Sequence, residues 1–179
     1  MSTPDWSEDP DLAAAVAEVE DFAAAAGWDA APQLFALVRT DELASAEPSL
    51  AAGLGGSALT PIAQDALPDR DLERALGQIA WPPAVTGCVL VQEIVVLPPG
   101  AQDALSDDPA TAATQAARHP QRTEARLVAG VLRDGSRACL LRIREDGQEN
   151  GHGEQGPLPV LRGAHLAPNL LDSLALTLE

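Results

Sequence analysis

Gly151-His152-Gly153-Glu154-Gln155-Gly156 matches G-x-G-x-x-G letter for letter, the spacing with which a strand-to-helix turn cradles a dinucleotide pyrophosphate. That chemistry needs a helix whose first amide N–H groups receive the phosphates. Here Pro157 and Pro159 follow, and Glu149 and Glu154 would repel an anion, so the segment reads as a solvated loop. Gly53-Leu54-Gly55-Gly56-Ser57-Ala58 resembles the G-x-G-x-x-A variant, but Thr60-Pro61 prevents the required long helix from starting there. The histidines His119, His152 and His165 lie in separate stretches without H-x-x-x-H spacing, and Cys88 and Cys139 form no C-x-x-C. A metal-ligating set is therefore not expected. No G-x-S-x-G elbow presents a serine nucleophile. Asp107-Asp108 sits in a polar stretch that cannot raise a carboxyl pKa by burial. Neither a catalytic residue nor a cofactor site emerges from the motifs.

One local charge contrast remains. Arg142 and Arg144 share a face of one strand, and Arg126 starts the neighbouring strand on the expected opposite face. Planar guanidinium groups bind carboxylates bidentately, so the Arg142 and Arg144 pair suits an anionic ligand or an acidic partner segment. The competing and favoured reading is pairing with the chain's own acids, which contributes about 0 to 1 kcal/mol when exposed.

Composition narrows the classes. The 179-residue chain carries a formal charge of −16, which argues against partners held through phosphate contacts, so neither nucleic acid nor an anionic membrane surface is expected. No apolar run reaches the roughly 20 residues of a membrane helix. Met1 to Asp11 is acidic and lacks the pattern of a secretory signal. Cys88 and Cys139 lie among apolar, strand-like residues and read as reduced core thiols of a cytoplasmic protein.

The elements that must position these groups follow from capping and periodicity. Asp9, Pro10 and Gly27 predict a helix from Pro10 to Ala26 with Leu12, Val16, Val19 and Phe22 facing the core and Glu18, Glu20 and Asp21 largely off that stripe. Trp28 is expected to fold back on Phe22 or Ala23. Gln33 to Thr40 reads as a strand, Thr40 to Glu42 as the start of a short helix, and the Pro- and Gly-rich stretch after it as a connection. Asp71 to Ala80 reads as a helix whose exit Trp81 anchors, and Thr86 to Leu97 as a β-branched strand. A weak helix is expected to open at Pro109 behind Asp108, with residues 1–9 and 101–122 mobile. Glu124 to Glu145 predicts a β-hairpin around Asp134-Gly135, assigned a two-residue type I′ turn. That turn would place Leu127, Ala129, Val131, Ala138 and Leu140 on one face, and Val128, Leu132, Cys139, Leu141 and Ile143 on the other. Pro168 to Leu178 closes the chain as a helix.

The expectation is a single α+β domain over residues 1–179, an antiparallel sheet of about four strands with N-terminal and C-terminal helices packed on it. Both faces of the hairpin are apolar, so loops or a second copy would cover whatever the helices leave, which predicts a homodimer through the uncovered face.

Several segments in order carry a resemblance. Pro32 to Val38, Leu59-Thr60-Pro61, Ile79-Ala80-Trp81-Pro82 leading to Gly87-Cys88, His119-Pro120, Ala129 to Gly135, Cys139 to Arg142 and the Leu-rich final helix span most of the chain. Together they resemble an uncharacterised actinobacterial family of small acidic proteins named after a locus of a skin propionibacterium. The resemblance implies no activity, ligand or catalytic residue. The functional expectation is a non-enzymatic, cytoplasmic protein-interaction module, adaptor or chaperone-like, with an unidentified protein partner. The alternative is an enzyme or small-ligand binder whose site draws on dispersed residues, Glu93, Arg142 and Arg144, around an apolar cleft near Trp81.

Overall fold

Asp9 starts the first helix as its spacing predicts: in the computed structural model of the protein its side chain accepts hydrogen bonds from the amides of Asp11 and Leu12 at 2.8 and 3.2 Å. The structure describes residues 9–53, 57–64, 67, 72–96, 105–118, 120, 123–144, 160–163 and 166–179. Helix α1 spans Pro10–Ala26 and buries Leu12, Ala15, Val16 and Val19. Its apolar stripe is narrower than expected. Phe22 is 55% exposed and Glu20 only 1%, so the helix turns Glu20, one turn beyond Val16, toward the sheet. Phe22 sits at the margin, edge-on to Phe35 with centroids 5.8 Å apart.

Six strands form one sheet: β1 Gln33–Arg39, β2 Leu59–Ala63, β3 Val85–Val96, β4 Thr123–Leu132, β5 Arg137–Ile143 and β6 Val160–Gly163. Their order is β2-β1-β3-β4-β5-β6 and every neighbouring pair is antiparallel. The class is α+β, but with six strands rather than about four. The two additional strands are the outermost and the shortest. β2 contains Pro61, opposite Leu37. Because Gln64 donates to Leu34 and Thr40 to Ala58, the alternation of the ladder puts Leu37 and Pro61 in a non-hydrogen-bonded pair. The ring nitrogen of Pro61 therefore points away from β1, the position at which a strand tolerates proline.

The hairpin is present, but its turn differs from the expected one. Gly135 N–H donates to the Leu132 carbonyl and Leu132 N–H to the Ser136 carbonyl, both at 3.0 Å. The loop thus holds the three residues Arg133, Asp134 and Gly135, and only Gly135 among them has positive φ, +94°. This is the three-residue loop that ends in a left-handed glycine. The Asp134 carboxylate accepts from Ser136 N–H at 2.9 Å, a local bond that favours this turn over type I′. The extra loop residue slips the pairing by one, so Ala129 faces Cys139 and Val128 faces Leu140. Ala138 and Leu140 thereby exchange faces with Cys139, Leu141 and Ile143 relative to the expectation.

Helix α2, Thr40–Ala46, a 3-10 turn at Pro48–Gly53, and helix α3, Leu72–Gly77, fill the connections. α3 is shorter than the stretch from Asp71 to Ala80 predicts. Helix α4, Pro109–Arg118, opens behind Asp108, whose carboxylate accepts from Thr111 N–H at 3.0 Å and Thr111 Oγ1 at 2.7 Å. These bonds hold the Asp108 carboxyl below its ordinary pKa. Helix α5 is Pro168–Leu176. The glycine motif at 151–156, residues 54–56 of the second motif, the three histidines and much of 1–9 and 101–122 lie outside the described residues.

α1 covers one sheet face, packing on Phe35, Leu37, Val89, Val128 and Leu140. α5 and α3 cover the other, over Leu34, Leu90, Leu127, Ala129 and Leu141. α1 approaches so closely at Gly130 that a β-carbon there would lie 2.9 Å from Val16 Cγ2. Each sheet face carries a helix of the same chain. Among the described residues no helix is long and apolar enough to cross a membrane.

Candidate functional site

The one-residue slip of β5 decides where the arginines go. Arg142 lies directly opposite Arg126, and Arg144 continues the ladder by donating its N–H to the Glu124 carbonyl at 2.8 Å. Arg126, Arg142 and Arg144 thus share the face that α1 covers, where the sequence placed Arg126 on the opposite one. Glu20 descends from α1 between them. Its Oε1 accepts from Arg126 Nη1 at 3.4 Å and from Arg142 Nε, while Oε2 is buried without a hydrogen-bond partner among the described residues. The Arg126 side chain is 3% exposed and that of Arg142 29%. Arg126 also donates to the Gly27 carbonyl at 3.0 Å, tying the end of α1 to β4.

The residues after α1 extend the cluster. The Trp28 ring lies under the guanidinium of Arg126 at 4.4 Å and near that of Arg144 at 5.3 Å, a cation–π geometry. Asp29 adopts φ +65°, which lets neighbouring N–H groups converge on one carboxylate. Glu93 accepts from the amide of Asp29 at 3.0 Å and of Ala30 at 2.7 Å. Arg144 Nη1 reaches Asp29 at 3.0 Å and Glu124 at 2.9 Å, and the Asp29 bond pushes the Arg144 pKa up. Glu93 and Arg126 face each other across β3 and β4. Beside them opens a cleft of about 30 Å³ lined by Phe22, Ala23, Ala30, Val91, Glu93 and Arg126. It has room for two or three waters at roughly 10–15 Å³ each.

Trp81 stands elsewhere. It packs on the α5 face, and its Nε1 donates to Thr177 Oγ1 at 2.9 Å, which donates to the Leu174 carbonyl at 2.6 Å. Cys88 lies against the same hydroxyl at 3.8 Å, and burial pushes its thiol pKa up to about 11. Cys139 is also free and buried, with its thiol raised for the same reason. Neither thiol is a nucleophile at neutral pH. Arg133 donates to the carbonyls of Val85 at 2.7 Å, Trp81 at 3.3 Å, Pro82 at 3.2 Å and Leu178. It ties the C-terminal end of α5 to the approach to β3. The structure therefore gathers Glu93, Arg142 and Arg144 in one cluster, separates Trp81 from it by the sheet, and opens a cleft beside the cluster near Phe22. Glu20, Trp28 and Asp29 join the cluster unanticipated. The available signal was the i, i+4 spacing from Val16 to Glu20.

No curated protein and no solved structure matches the chain. The model of the PPA1309-like protein family matches residues 12–179. That match begins at Leu12 on the buried face of α1 and takes in every residue of the Glu20 cluster, the cleft and the Trp81 contact; the chain belongs to the PPA1309-like protein family.

Proposed function

We propose that the protein is a non-enzymatic, cytoplasmic interaction module that docks on another protein where Phe22 overhangs the cleft at the end of α1. The observation that carries this reading is Phe22 itself, 55% exposed beside a gap walled by Ala23, Ala30 and Val91. An aromatic side chain held in water next to an apolar recess resembles the anchor of a protein contact. The cleft's roughly 30 Å³ falls far below the several hundred Å³, about 300–1,000, of small-molecule sites, which favours a protein surface over a metabolite. Glu93, Arg142 and Arg144 are engaged with groups of the chain itself, so they support the surface's shape. The free, buried cysteines suit a reducing compartment.

Affinity capture from cells that produce the protein, comparing wild type with Phe22→Asp, tests the proposal. The expected result is a stoichiometric protein partner retained by wild type and lost with the substituted chain. A metabolite that raises the thermal midpoint of wild type, together with capture that is identical for both chains, would overturn it.

A further inference from the structure

The two halves of α1 are attached by different forces. Through Val19 the contact is apolar: Leu12, Ala15, Val16 and Val19 are at most 1% exposed. From Glu20 onward the apolar contact thins, since Ala24, Ala25 and Ala26 face solvent and Phe22 touches Phe35 only edge-on. Ala23 still packs on the margin of the core, and the other contacts that hold this half are polar. Glu20 meets Arg126 and Arg142, the Gly27 carbonyl accepts from Arg126, and Glu93 takes the amides of Asp29 and Ala30. Arg144 reaches Asp29, and the Trp28 ring lies against Arg126.

Two features of the closed state are costly. Glu20 Oε2 is buried without a partner among the described residues, and Asp29 occupies the left-handed region at φ +65°. Water would repay the first on release, and an extended backbone the second. The replacement bonds to solvent are of the same kind as those broken, unlike the apolar contacts of residues 12–19.

We infer that residues 20–31 form a charge-latched strap that releases from the sheet as a unit, hinging after Val19 while the first half of α1 stays docked. Release uncovers Arg126, Arg142 and Val91, a basic and partly apolar patch on a chain whose formal charge is −16. The strap's existence does not depend on what binds at Phe22.

Hydrogen exchange on the full chain tests this. Amides of residues 20–31 should be at least tenfold less protected than those of residues 12–19 and of β3 to β5. Glu93 is partly exposed, so Glu93→Gln keeps the fold while weakening one latch. It should speed exchange of the strap about tenfold, the effect of losing a charge-assisted hydrogen bond, and leave the other segments unchanged. Glu20→Gln should speed it further. Strap amides as protected as residues 12–19 would overturn the inference, as would a Glu93→Gln effect that is absent or spread evenly over α1 and the sheet.

Discussion

A carboxylate taken out of water costs several kcal/mol unless its oxygens are paired, and Glu20 has both of its contacts on Oε1. Its partner Arg126 is equally enclosed, so the pair stands or falls together. Glu20→Ala should destabilise the protein by about 3–5 kcal/mol, because it strands a buried guanidinium. Urea denaturation of wild type and variant measures this. The reason Glu20 escaped the sequence reading is physical: helical periodicity ranks positions by hydropathy, and a buried ion pair inverts that ranking where Arg126 and Arg142 rise from the sheet beneath the helix. Cys88 shows the opposite case, a thiol whose apolar neighbours announced its burial. Its pKa is raised from 9.0 to about 11, so the folded state favours the protonated thiol. The resulting stability is whole below pH 9 and is lost as pH rises through about 11. The chain contains neither Lys nor Tyr, which leaves this window almost free of other side-chain titrations. Stability measured by denaturant at pH 8 and pH 11 should fall by on the order of 2–3 kcal/mol in wild type. The fall should be smaller in Cys88→Ala, with Cys139 supplying the remainder.

Among the elements, α1 was legible to the residue because Asp9, Pro10 and Gly27 mark both ends chemically. β3 was legible because its β-branched run is long. The turn between β4 and β5 was not, since Asp-Gly serves both a two-residue and a three-residue loop, and the choice rests on the Ser136 amide bonding back to Asp134. That choice moved three arginines onto one face and so built the candidate site. β2 was hidden by Pro61, and β6 is only four residues long, too short for a pattern. The packing of α1 on β4 gives a further expectation. A β-carbon at Gly130 would sit 2.9 Å from Val16 and 3.1 Å from Leu12, so Gly130→Ala should force α1 outward and cost about 1–3 kcal/mol. A lowered thermal midpoint with the β4 and β5 amides still protected would show that the helix, not the ladder, absorbs the change.

At the scale of the molecule, the α+β class and the helices at the two ends of the chain follow from the order of patterns along it. The strand count and the covering of both faces do not. Each helix takes its own face because the strands alternate apolar residues inward on both sides: Leu34 and Ala36 lie toward α5, Phe35 and Leu37 toward α1. A sequence shows that a strand is apolar on two faces without showing what covers each. The Trp81 and Arg133 contacts likewise join segments far apart in the chain, beyond the reach of any local pattern.

The orientation of Pro61 has a consequence of its own. With the ring nitrogen turned away from β1, the margin of β2 that no described strand pairs with lacks an amide proton where an approaching chain would need one. A second molecule cannot zip onto that margin in continuous register, so concentrated protein is guarded on that side against fibril-like stacking by the same residue that obscured the strand.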